Sequence, residues 1–163
     1  MMDHKVGVIP FEIQGDCVAI LFVTSKSRKR WIFPKGNRKS GESHKKACKR
    51  EAFEEAGVKG FLLLDIPMTN VITKSSDQGP IDEAVTYFPM FVEKQQEQWP
   101  ESNKRQRLWA ALEDAPEVAD SQDFLPIISQ FTSLKPLILA RSKEKILKRQ
   151  EKRRLAMQSP RLS

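Results

Sequence analysis

The sequence predicts a mixed α/β (α+β) domain from three observations: several short β-branched and aromatic runs, one well-capped helix set among them, and an apolar helical segment further on. Residues 5–10 and 17–23 are rich in Val, Ile and Phe, and Gln14-Gly15-Asp16 between them reads as the turn of a hairpin. Trp31-Ile32-Phe33 is a short strand stopped by Pro34. Residues 35–42, rich in glycine and basic side chains, form a loop. Residues 43–56 are the strongest helix: Ser43 can cap its first N–H groups, and Gly57 supplies the backbone freedom that ends it. Residues 61–66 and 84–92 read as strands, with 75–80 as the turn between them. Residues 106–110 suggest another strand and 123–131 another helix.

Charge is unevenly placed. The 163 residues carry a net +7, yet residues 134–163 alone carry ten Lys/Arg against Glu144 and Glu151. Residues 1–133 hold 18 Lys/Arg against 19 acids and are close to neutral. The basic character thus belongs to a tail and says little about the core. We expect a domain over residues 1–140 and a basic extension over 141–163. From Arg141 onward, cations alternate with Ile146, Leu147, Leu155 and Met157, the pattern of a weakly amphipathic helix or of a solvated extension. RNA and anionic surfaces are its candidate contacts. No stretch approaches the roughly 18 apolar residues of a membrane span. Met1–Lys5 lacks the apolar run of a signal peptide, and Cys17 and Cys48 form no CxxC pair, so the expected setting is a reducing cytoplasm.

Chemistry concentrates in Arg50-Glu51-Ala52-Phe53-Glu54-Glu55. On a helix Glu51 lies one turn before Glu54 and Glu55, so three carboxylates crowd one side and repel. Two readings compete: a solvated acidic face answered by Lys45, Lys46, Lys49 and Arg50, or a site for a hard divalent cation with oxygen ligands. The opposite face carries Ala47, Cys48, Ala52 and Ala56, small enough to pack closely on a sheet. His4 and His44 offer no partner for a nucleophile, and no Ser-His-Asp or Cys-His set competes.

Read from Gly36, the spacing is G-x5-E-x7-R-E-U-x-E-E-x-G-U, with U apolar, ending at Val58. This run resembles the Nudix box at every fixed position. The resemblance implies the Nudix fold, a mixed sheet between helices with the box as a loop–helix–loop, and hydrolysis of a phosphoanhydride with Mg²⁺ or Mn²⁺. It implies Glu51, Glu55 and the Gly36 carbonyl as metal ligands, Glu54 as the base, Arg50 as the residue orienting a glutamate, and Glu42 as a brace of the loop. Glu83 and Glu93 are the downstream acids weighed as extra ligands.

Val6–Phe11, Trp31–Gly36 and Trp99-Pro-Glu-Ser with Lys104–Trp109 further resemble the branch that hydrolyses diphosphoinositol polyphosphates and diadenosine polyphosphates. Such substrates are densely anionic, and residues 26–50 carry eleven Lys/Arg against Glu42. The resemblance places Lys26, Arg30 and Arg105 at phosphate-binding positions, with Lys35 and Arg107 in the same two basic clusters. Pro34-Lys35-Gly36-Asn37 departs from the glycine-rich entry of the inositol enzymes, which favours dinucleoside polyphosphates. Trp31, Phe33 and Trp109 are candidates either for stacking on a base or for the core. The alternatives are an RNA 5′-pyrophosphohydrolase and a non-catalytic Nudix-fold binding module. The second would ordinarily have lost box glutamates, and all are present.

Overall fold

The computed structural model describes residues 3–119 and 121–158. Strand β1 (Asp3–Gln14) turns at Gly15, whose φ of 64° suits a tight hairpin, into β2 (Cys17–Thr24), with Gln14 paired to Cys17. Next come β3 (Trp31–Ile32), β4 (Lys35–Gly36) and helix α1 (His44–Glu51). Ser43 caps α1 by accepting from the Lys46 N–H at 3.1 Å, a contact worth about 1 kcal/mol. The helix continues as one wide π turn over Ala52–Ala56 and ends at Gly57, in left-handed backbone with φ 66°.

After it lie β5 (Val58–Leu62), β6 (Met68–Lys74), β7 (Ile81–Gln95) and β8 (Arg107–Ala111). Helices α2 (Ala115–Val118), α3 (Leu125–Ser133) and α4 (Lys135–Gln158) complete the order. All eight strands join one mixed sheet with β1 and β7 at its centre, parallel to each other, and every other pairing antiparallel. One edge of β1 is shared by β2 and β4, and one edge of β7 by β6 and β5.

Two cores explain why the strand runs read as continuously apolar rather than alternating: the central strands are buried on both faces. Val6, Val8, Leu21, Val23, Phe88 and Met90 face α1, where Ala47, Cys48, Ala52 and Ala56 let the helix sit close. Ile9, Phe11, Ile20, Phe22, Val85 and Tyr87 face the other way, against Phe124, Ile127, Phe131 and Ile138. Phe33 lies in this second core, fully buried and stacked on Phe22 at 4.7 Å. It is a core residue. The mixed sheet between helices is the expected fold.

Three expectations change in detail. The strand expected over 61–66 ends at Leu62, and Leu63 and Ile66 are buried in the turn that follows. An additional strand, β6, occupies Met68–Lys74. Its inward positions are Met68, Asn70 and Ile72, and the polar Asn70 breaks the apolar alternation a reader looks for. Asn70 is tolerated there because its amide donates to the Asp123 carbonyl at 2.8 Å. Finally, one helix runs unbroken from Lys135 to Gln158, so residue 140 falls inside an element. Among the described residues no helix is long and apolar enough to cross a membrane.

Candidate active site

The loop after β4 and the helix α1 bring the box residues together around one guanidinium. Arg50 donates from Nε and Nη2 to Glu42 at 2.9 Å each, from Nη2 to the Asn37 carbonyl at 2.9 Å, and from Nη1 to Glu51 at 2.6 Å. A longer contact of 3.5 Å reaches Glu54. Arg50 thus uses the full fork of donors that arginine owns. It holds the loop through Glu42 and aims Glu51. Its charge, with the Lys39 N–H, keeps the Glu42 carboxyl down at about 2.

Glu51 and Glu55 are buried, at 8% and 4% exposure. Burial first, and then the hydrogen bond with Glu51, push the Glu55 carboxyl up to about 9. Gly36 lies directly against Glu51, and a Cβ there would collide with its carboxylate. The π turn separates the last two glutamates: Glu55 points inward, whereas the Glu54 side chain remains 36% exposed. Among the described residues no three His, Cys, Asp or Glu side chains form a ready metal cluster. The donor set on offer is two buried carboxylates, with Gly36 against Glu51. That set suits a cation that keeps several waters, as Mg²⁺ does.

The far end of this helix is held by a segment the box does not contain. A helix leaves its last carbonyls without partners. Here the Glu54 carbonyl accepts from the Glu101 N–H at 3.1 Å, and the Gly57 carbonyl from the Gln96 N–H at 2.8 Å. The Glu55 carbonyl accepts from Trp99 Nε1 at 3.0 Å, and the Ala56 carbonyl from Arg107 Nη1 at 3.0 Å. Arg107 also reaches the Gln96 carbonyl at 2.7 Å and stacks 3.9 Å from the Trp99 ring centre. Trp99 and Glu101 are therefore site residues that sequence reasoning quoted only as a resemblance. We expect Arg107→Ala to cost about 2 kcal/mol in urea unfolding, because a charged hydrogen bond is lost and buried carbonyls are orphaned.

The basic residues divide. Arg105, largely buried, donates to Glu101 at 3.0 Å and to the Thr24 carbonyl at 2.9 Å, and lies 3.6 Å from Glu55. Arg107 is spent on the helix end. Lys26 pairs with Glu101 at 3.4 Å. Lys35 donates to Glu83 at 2.9 Å, and Lys5 and Lys74 converge on the same carboxylate. Glu83 is thereby committed to lysines, and Glu93 to Arg149 and Arg153 of α4, so neither joins the box carboxylates.

Two cavities flank the site, with Trp31 lining both. One, of about 460 Å³, lies over Ser25, Arg28, Arg30, Lys35, Lys74 and Phe124. The other, of about 500 Å³, lies over Lys29, Asn103, Lys104 and Arg105. Lys35 connects the first to Gly36, and Arg105 connects the second to Glu55. Trp109 is elsewhere engaged, donating to Gln95 at 2.8 Å.

A buried carboxylate pair on a loop–helix–loop, under a mixed sheet, defines a class, and the comparisons agree with it. A family model described as the NUDIX domain matches residues 2–129, and the chain belongs to the Nudix hydrolase family. Nudix hydrolase 4 of Arabidopsis thaliana is 32% identical over 140 residues, covering 81% of this chain and 66% of that protein. Nudix hydrolase 18, mitochondrial, of the same plant is 31% identical over 145 residues, covering 81% of each chain. The chain thus spans about two thirds to four fifths of these relatives. A C. elegans Ap4A hydrolase in a binary complex superposes with TM-score 0.65 at 22% identity, covering 82% of this chain and 97% of that one. The NUDIX domain of Shewanella oneidensis NrtR, complexed with ADP ribose, gives 0.63 at 16% identity, covering 82% and 88%. At these identities the two structures speak to the fold. Nudix hydrolases generally use divalent metals.

Proposed function

We propose that this protein hydrolyses a phosphoanhydride in a diphosphate that joins two moieties, with Mg²⁺ as the working cation and Mn²⁺ as a substitute. The observation carrying this reading is the buried Glu51–Glu55 pair against Gly36, flanked by two basic cavities that share Trp31. A dinucleoside polyphosphate suits two such cavities, one for each end. The metal, held by Glu51, Glu55 and the Gly36 carbonyl, would neutralise non-bridging oxygens and acidify a bound water. Glu54, partly exposed and only loosely held, takes the proton of the attacking water. Arg50 keeps Glu51 aimed. Lys26, Arg30, Lys35 and Arg105 hold phosphates, with Arg105 beside Glu55. Two free thiols, exposed Cys17 and buried Cys48, favour a reducing location such as the cytoplasm.

The test is a Mg²⁺/Mn²⁺ hydrolysis screen over dinucleoside polyphosphates, inositol pyrophosphates, nucleotide sugars, nucleoside triphosphates and 5′-triphosphorylated RNA. Turnover of a diphosphate-linked substrate only with metal is the expected result, and metal-independent turnover refutes the reading. The RNA arm examines a second reading, an RNA 5′-pyrophosphohydrolase, which the cations of α4 favour. Glu51→Gln and Glu55→Gln should each raise the Mg²⁺ requirement by about 10-fold or more. An unchanged titration removes them from the ligand set.

Glu55 adds a pH dependence to the metal-free protein. Its folded carboxyl binds a proton more tightly than the unfolded one, which titrates near 4.5. Its contribution is full below that value and is lost as pH rises toward about 9. The apo protein should therefore lose stability across that window, and the gain in Tm on adding Mg²⁺ should grow with pH, since the cation must displace a proton. A Mg²⁺ shift independent of pH contradicts a raised Glu55 carboxyl.

A further inference from the structure

Helix α4 lies along the β5 side of the sheet with a row of cations on one face. Arg141 meets Asp65 at 2.9 Å, Lys145 donates to the Leu62 carbonyl at 3.0 Å, and Arg149 and Arg153 reach Glu93 at 3.0 and 3.8 Å. The members from Lys145 onward recur every four residues, so they line one side of the helix. Lys145 and Arg149 also sit over the Phe61 ring, at 5.5 and 5.2 Å.

Across from this row, α1 presents exposed Lys45 and Lys49. Strand β5 lies between the two, with Phe61 under Lys145 and Arg149 and with Lys59 and Gly60 beside Lys49 of α1. On β5, Lys59 lies 4.8 Å over the Phe53 ring. Beside it runs a trough of about 400 Å³ lined by Lys49, Arg50, Phe53, Lys59, Gly60 and Met90. Like charges gathered this closely cost energy, and a ligand that supplies anions along a line relieves it.

We propose that the surface formed by α1, β5 and the cation row of α4 binds single-stranded RNA. Phosphates lie along Lys45, Lys49, Lys145 and Arg149, and an unpaired base enters the trough toward Phe53. A bilayer fits less well. Of the exposed apolar side chains of α4, Leu147 and Leu155 each follow a row cation by two residues and project from a different side of the helix, while Leu137 and Met157 stand only at the two ends of the row, so no continuous apolar stripe accompanies the cations. The trough borders Arg50, which also holds Glu51, so a bound strand has its end near the carboxylates. RNA is chosen over DNA because a transcript's 5′ end brings its own phosphoanhydride. That choice rests on the hydrolytic reading of the site; binding itself needs neither metal nor turnover.

The experiment measures binding of a labelled single-stranded RNA with a 5′-hydroxyl end to the full chain, in EDTA, by fluorescence anisotropy. With about four phosphate contacts, log K should fall against log salt with a slope of about −2.8. Lys49→Glu with Arg149→Glu should weaken binding by about 100-fold, whereas Lys143→Glu, on α4 beside Asp16, should cost less than about 3-fold. The milder Lys49→Gln/Arg149→Gln pair, with Tm checked, guards against a folding defect and should still lose about 10-fold. Absence of RNA binding at low salt overturns the proposal. So do equal losses from Lys143→Glu, or preference for vesicles of anionic lipid. Because the probe cannot be hydrolysed at its end and no metal is present, failure here leaves the phosphoanhydride reading standing, and the reverse also holds.

Discussion

Glu54→Gln should lower kcat by about 10²- to 10⁴-fold at saturating metal, the range a positioned general base supplies, with the urea midpoint unchanged. Glu54 has the placement a base requires. Its side chain is 36% exposed, and its contact with Arg50, at 3.5 Å, is the longest that guanidinium makes. A glutamine keeps that contact and the volume but cannot accept the proton of water. Glu51 and Glu55 are placed differently. Both are buried, and each is tied to the other and to an arginine, so removing either disturbs the cation site before it disturbs proton transfer. The kinetic signatures should therefore separate: a loss of kcat at Glu54, and a shifted Mg²⁺ requirement at the other two. Near-native turnover by Glu54→Gln would pass the base to another carboxylate.

The second large effect is on stability. Glu83→Gln should cost about 3 kcal/mol, because a buried charge that answers several others cannot be neutralised without leaving them uncompensated. Glu83 is 2% exposed and meets Lys35 at 2.9 Å and Lys74 at 3.2 Å, with Lys5 on the same oxygen as Lys74. Despite burial, these lysines, led by Lys5, hold its carboxyl down at about 2. The sign follows. A depressed carboxyl stabilises the fold above the ordinary value of 4.5, and that contribution is lost as pH falls toward about 2. Urea midpoints should show a wide gap between wild type and variant near neutral pH, closing in acid. A gap that stays constant with pH would mean that Glu83 acts by shape rather than charge. Lys35 and Lys74 also line the basic cavity of about 460 Å³, so the variant should raise KM more than it lowers kcat.

What could be read in the sequence was whatever one stretch of chain decides alone. Ser43 and Gly57 bracket the helix because caps are local, and the box spacing names the carboxylates because their placement depends on one helix. Strand β6 escaped because Asn70 occupies an inward position and finds its partner fifty-three residues away. The π turn leaves no pattern in Ala52–Ala56, since an α-helix and a wider turn accept the same residues. Arg107 reads as a free cation from its neighbours, and only the fold shows that its donors go to backbone carbonyls. Lys35 looked like part of a basic loop, and its carboxylate partner arrives on a different strand.

The clamp on the helix end sets an order of events in time. During synthesis the whole Nudix box has emerged once Val58 is made, yet the donors that hold the carbonyls of Glu54, Glu55, Ala56 and Gly57 arrive between Gln96 and Arg107. Until then the glutamates ride on a frayed helix end, and β7, the central partner of β1, is itself unfinished. A nascent chain therefore carries its complete motif for some forty residues before the geometry for cation binding exists. Mg²⁺ would then be bound by a nearly finished domain, not recruited to help fold it.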